Sequence, residues 1–117
     1  MSEKMLVIIL AGKDDLDRAK QGLTFAKTAA KMKLLSDVRV LFFGPGVELL
    51  NPEGEHYQGI RTMLTELLSL KRGVSACVSN VHKYGLDEKL EKELVVAEEA
   101  AHLISDSVKN GYQVISF

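Results

Sequence analysis

Tryptophan is absent from this chain, prolines number two, and cysteine occurs once, as Cys77. One cysteine excludes an internal disulfide and a cysteine-built zinc cage, so neither staple holds the fold. A charge surplus is missing too: fifteen basic against sixteen acidic side chains give a formal net charge of −1. A nucleic acid or an anionic membrane surface therefore finds no electrostatic support. Long apolar runs are also lacking. The longest, Met5 to Ala11, falls far short of the ~20 residues needed to cross a bilayer, and its Ser-Glu-Lys lead does not resemble a secretory signal. The cytoplasm is the expected compartment. What remains is a chain of 117 residues, 46% apolar and 26% charged. That describes one soluble globular domain over residues 1–117, with a radius of gyration of roughly 13 Å.

The order of elements follows from periodicity. Met5-Leu-Val-Ile-Ile-Leu10 is a continuous β-branched run closed by Ala11-Gly12, the pattern of a strand covered on both faces, and it reads as the central strand. Leu16, Ala19, Leu23, Ala26 and Ala30 recur at helical steps, widened by Gly22, Phe25, Ala29 and Met32. Asp14 or Asp15 is placed to cap that helix. Val38–Phe43 reads as a second strand, ending at Gly44-Pro45-Gly46. Ile60, Met63, Leu64, Leu67 and Leu70 mark a helix closed by Lys71-Arg72-Gly73, with Gly73 as its C-terminal cap. Val74–Val78 is a third strand and Leu94–Val96 a short fourth. Ala97, Ala100, Ala101, Ile104 and Val108 mark the last helix, and Tyr112–Phe117 the fifth strand. Strands alternating with helices predict an α/β fold, a three-layer α/β/α sandwich around a five-stranded, mainly parallel sheet.

In such sheets the binding crevice lies beyond the carboxyl ends of the strands. The loops carrying Gly12, Gly44 with Gly46, and Cys77 to Gly85 share that edge. The first resembles a phosphate site only in position, because Asp14, Asp15 and Asp17 put carboxylates where the anion would sit and no glycine fingerprint is present. A receiver-domain reading of those acids lacks its aspartate after strand three, where Cys77 stands, and its lysine after strand five. His56, His82 and His102 are too dispersed for a metal signature. His102 reads as a solvent-facing residue of the last helix, and Gly44-Pro45-Gly46 as a structural turn. No serine lies in a G-x-S-x-G elbow. No metal and no cofactor are expected.

Cys77 has two readings. A free cysteine in a strand is commonly a small buried hydrophobe. Its place near the end of strand three instead lets a thiol emerge into the crevice, with Ser79, Asn80, His82 and Lys83 following. A thiolate is the reactive form, and His82 or Lys83 is placed to supply the charge that favours it.

The chain resembles the DsrE/DsrF-like family of small sulfur-relay proteins. The residues that carry the likeness are Met5 to Ala11, Asp15-Leu-Asp-Arg-Ala19 with Leu23-Thr-Phe-Ala26, and Leu41-Phe-Phe-Gly-Pro-Gly-Val-Glu-Leu-Leu50. It continues through Gly73-Val-Ser-Ala-Cys-Val-Ser-Asn80 and Gly85-Leu86 to Gly111-Tyr-Gln-Val-Ile. The resemblance implies assembly as homotrimers, hexamers or hetero-hexamers, with a homo-oligomer, trimeric or hexameric, expected for this chain. It also implies that Cys77 matches the cysteine which carries sulfur as a persulfide in the catalytic members. Those members often place small residues and arginine between cysteine and glycine, where this chain has Val78-Ser-Asn-Val-His-Lys-Tyr84.

Three functions compete. The first is a sulfurtransferase or sulfur carrier with Cys77 as its covalent site, served by sulfur donor and acceptor proteins. The second is a non-catalytic oligomeric binding or scaffold member of the same family. The third is a small-anion or nucleotide pocket along the crevice.

Overall fold

The computed structural model describes residues 3–117, so the first two residues of the expected domain lie outside it. The first apolar run becomes β1 (Lys4–Ile9). Alternate residues of a strand point to opposite faces, and here Val7 and Ile9 enter one apolar cluster while Leu6 and Ile8 enter another. That division explains why every position of the run is apolar. With β2 (Asp37–Phe42), β3 (Val74–Cys77), β4 (Val96–Glu98) and β5 (Tyr112–Ser116), the strands form one sheet of order β4-β3-β2-β1-β5. Every pairing is parallel, so the expected mainly parallel sheet is wholly so. The middle place belongs to β2, with β1 between it and β5, which corrects the reading of β1 as the central strand.

The helices divide unequally between the faces. α1 (Leu16–Lys31), α2 (Tyr57–Ser69) and α3 (Val78–Lys83) cover Val7, Val40, Phe42 and Ala76. α4 (Ala100–Lys109) alone covers Leu6, Ile8, Leu41 and Cys77. Three layers result, as expected, and the radius of gyration is 13.1 Å. The small residues of α1 let it lie close to the sheet: a Cβ on Gly22 would run into the Ile9 side chain and the Phe117 ring. Asp15 is the cap, its Oδ1 accepting from the Arg18 amide at 3.4 Å.

Four expectations need correction. The fourth strand is Val96–Glu98, not Leu94–Val96, because Leu94 and Val95 fold back on Glu91 in a turn and fill the core there. The last helix consequently starts at Ala100, since Ala97 belongs to β4. Its inner face is Ala100, Leu103, Ile104 and Ser107, while Val108 is 56% exposed. Ser107 sits inside because its hydroxyl donates to the Leu103 carbonyl at 2.7 Å and accepts from Arg39 at 2.9 Å. The segment after Cys77 is a short helix rather than a polar turn. Finally, α2 ends on Lys71 in the left-handed conformation (φ 60°), and Gly73 plays no capping part. Lys33 (φ 56°) does the same for α1. In both, the amide two residues past the cap returns to a carbonyl of the last turn, Leu34 to Ala29 and Arg72 to Leu67. Gly44-Pro45-Gly46 opens a 3₁₀ segment that runs to Leu50.

Candidate functional site

Three glycines knit the crevice edge. A Cβ on Gly46 would overlap the carbonyl oxygen of Ile9, and one on Gly12 would press on the Pro45 carbonyl, so the turns after β1 and β2 touch through bare backbone. Gly44 follows, and its amide donates to Oδ1 of Asn80 at 2.9 Å. That bond ties the turn after β2 to α3, the helix that begins next to Cys77. Gly85 closes α3. It has φ 68°, its amide returns to His82, and the Leu86 amide returns to Val81, which brings Leu86 back into the core.

Cys77 is the last residue of β3 and the N-cap residue of α3. It pairs with Glu98 across the β3–β4 ladder, and its side chain lies on the α4 face. There it packs with Leu6, Ile8, Leu41 and Ala100 and is 6% exposed. Ala100 is the first residue of α4, whose N-terminal turn has no side-chain cap. The thiol and the first residue of α4 thus belong to one apolar cluster.

The polar residues that follow Cys77 do not gather around it as one group. Ser79 is exposed. Asn80 holds the Gly44 amide. The His82 side chain is 83% exposed and its Nδ1 lies 3.4 Å from the Asp87 carboxylate. The Lys83 ammonium stands over the Tyr84 ring, 5.6 Å from its centre. Among the described residues no group of His, Cys, Asp and Glu is arranged to hold a metal ion.

Sequence reading missed two polar clusters. At the opposite end of the α4 face, Tyr112 donates to Asp37, and Arg39 lies over the Tyr112 ring at 4.3 Å and reaches Asp106 at 3.2 Å; nearer to Cys77, Ser75 donates to Glu98, the register partner of the thiol residue. Burial first, and then the bond to Asp37, pushes the Tyr112 hydroxyl above its ordinary range. On the other face, Glu91 accepts from Arg61 Nε at 2.8 Å and from the Tyr57 hydroxyl. Arg61, followed by Tyr57, holds the Glu91 carboxyl below the usual carboxylate range. Tyr57 and Arg61 are four residues apart on α2, the only signal in the sequence for this clasp.

A hollow of about 330 Å³ beside α3 and β4 is lined by Val78, Val81, Leu90, Val95, Val96 and Ala97, together with Asp87 and Lys92. A second, of about 450 Å³, lies past β1 and β5 between Leu10, Asp15, Arg18 and Phe117. No helix among the described residues is long and apolar enough to cross a membrane.

The fold recurs in solved structures. The ychN protein of E. coli superposes with a TM-score of 0.82 at 18% identity, covering 100% of each chain. A conserved protein of unknown function from Bacteroides thetaiotaomicron, BT1422, gives 0.79 at 16%, covering 98% of this chain and 95% of its own. A protein of unknown function from Methanobacterium thermoautotrophicum, MTH1491, gives 0.73 at 21%, covering 99% and 100%. At such identities the likeness speaks for the fold alone. A comparison with curated proteins found no match. Sequence decides the family: the model of the DsrE/DsrF-like family matches residues 3–117, the whole described sheet and every crevice turn, and the chain belongs to that family.

Proposed function

We propose that the protein is a cytoplasmic sulfur carrier that holds sulfane sulfur as a persulfide on Cys77. The observation that carries this reading is the place of the chain's one cysteine, at the carboxyl end of β3 in a member of the DsrE/DsrF-like family. In the first step the Cys77 thiolate, its proton given to solvent, attacks the outer sulfur of a donor persulfide. The donor S–S bond breaks and the donor leaves as a thiolate. In the second, an acceptor thiolate attacks the outer sulfur now on Cys77, and Cys77 leaves as a thiolate. Each step exchanges one S–S bond for another, so no outside oxidant or reductant is needed. A resolving cysteine is unnecessary for this traffic. Family resemblance further supports a homo-oligomer, trimeric or hexameric, that meets separate donor and acceptor proteins.

Intact mass after incubation with a low-molecular-weight persulfide tests the reading. The expected result is a gain of one sulfur on the wild type that is absent from Cys77→Ser. A wild type that takes up no sulfur while a control thiol protein does would falsify it. The burial of Cys77 among Leu6, Ile8, Leu41 and Ala100 favours a second reading, a non-catalytic oligomeric scaffold. In that case Cys77→Ser leaves assembly and partner binding unchanged, and the native thiol stays inert to alkylation.

A further inference from the structure

The two edges of the sheet are built differently. β4 has three residues, ends on Glu98 and is followed by Glu99, so a second chain laid along it meets a short strand and negative charge. Short length and charge are the usual protections of an edge. β5 has neither. Tyr112-Gln-Val-Ile-Ser116 carries no charge and no proline, and Val114 at its centre is 44% exposed.

The direction of the free backbone groups on β5 follows from its pairing with β1. Phe117 donates its amide to Ile8 and accepts from the Leu10 amide. Backbone groups alternate sides along a strand, so Gln113 and Ile115 also face β1, while Tyr112, Val114 and Ser116 direct theirs outward. These outward residues are evenly spaced about Val114.

We propose that this edge pairs, antiparallel, with β5 of a second copy about a two-fold axis passing beside Val114. The inference rests on the homo-oligomeric part of the preceding reading and names its surface. Antiparallel pairing about Val114 sets Tyr112 against Ser116 of the partner subunit, and Val114 against the partner's Val114. All three are residues with outward backbone groups, so every outward amide and carbonyl of the strand meets its counterpart. Gln113 then stands beside the partner's Ile115. No charged side chain faces another in this register, so self-pairing meets none of the like-charge repulsion that a charged strand would impose on itself. An antiparallel copy of this uncharged strand satisfies all its outward groups and covers the exposed Val114 with its own counterpart, and a second copy is the occupant proposed.

Sedimentation and light scattering on the full chain test this. The wild type is expected as an even-numbered assembly: a dimer, or a hexamer where a three-fold contact is also made. Val114→Pro removes an outward amide that the protomer itself does not use, and proline is tolerated on an edge strand facing solvent. Val114→Lys places like charges at the axis. Each should halve the assembly mass with the circular dichroism retained, and mixing Val114→Lys with Val114→Glu should restore it. Should the proline variant fail to fold, the Lys and Glu pair decides alone. Folded Lys and Glu variants that keep the wild-type mass overturn the β5 contact and leave the oligomer reading standing; a monomeric wild type overturns both. Sulfur loading at Cys77 is read separately by mass.

Discussion

Gly44 and Asn80 are joined by a hydrogen bond of 2.9 Å from the glycine amide to the asparagine side chain, across 36 residues of sequence. It connects the turn after β2 with the helix that starts at the thiol, so the position of Cys77 is coupled to that turn. Asn80→Ala strands a partly buried amide, at a cost of about 1–3 kcal/mol. The melting temperature should fall, and the rate of Cys77 alkylation should rise. Asn80→Asp keeps an acceptor and should retain most of the stability. Equal loss in both variants would show that the contact is not what holds the turn.

Two glycines of the same edge should respond differently to alanine. At Gly46 the added carbon meets the Ile9 carbonyl, which as backbone of an interior strand has nowhere to go. The cost is about 3 kcal/mol or more. At Gly85 nothing lies within 4 Å, and only the left-handed backbone at φ 68° resists, for about 1 kcal/mol. Urea denaturation of the two variants should reproduce that order.

Both long helices of the larger layer end on a lysine held in a conformation that glycine adopts freely. The lysine charge favours the negative helix end, but its backbone is strained by about 1–2 kcal/mol. Lys71→Gly and Lys33→Gly should each raise stability by about 0.5–1 kcal/mol after the extra chain entropy of glycine is subtracted. A melting temperature a few degrees higher is the expected readout, and a fall would mean that charge outweighs strain.

The Glu91 clasp makes stability depend on pH. Arg61 and then Tyr57 lower its folded carboxyl pKa below the unfolded value. Its contribution is therefore fully present above the ordinary carboxylate range and lost as pH falls through the depressed value. Tyr57 works in the opposite sense: burial first, then Glu91, raises it, so the neutral phenol is held and stability is lost only on the alkaline side. Thermal melts from pH 3 to pH 8 should show Glu91→Gln differing most from the wild type near neutrality, with the gap closing in acid.

How far the sequence discloses this protein depends on what each residue is asked to do. The run from Leu6 to Ile9 buries both faces, and the Ala19, Leu23, Ala26 stripe buries one, so periodicity alone identified both elements. β4 was expected two residues early because an edge strand with Val96 at 59% exposure carries almost no apolar signal, while the neighbouring turn at Leu94 and Val95 carries a strong one. In α4 the choice of face depended on Arg39, a residue of a distant strand that makes a serine acceptable inside. Cys77 was legible as a strand-end thiol. Its burial in one cluster with Ala100 of α4 was not, because no local pattern reports which helix crosses a strand end. His82 and Lys83 looked poised from their spacing, but side chains seek the nearest partner, and Asp87 and Tyr84 are nearer in the chain.

The register Lys4 to Tyr112 has a consequence for how the chain is made. β1 finds β2 after one helix, but its other neighbour is more than a hundred positions away. On the ribosome, at about 5–20 residues per second, β1 emerges early and keeps one hydrogen-bonding flank bare for several seconds. Leu6 and Ile8 wait with it, because α4, which covers them, also comes late. Until residues 100–116 have been made, the β5 flank of β1 and the α4 side of Leu6 and Ile8 have no partner within the chain, the stage at which a chaperone has most to hold.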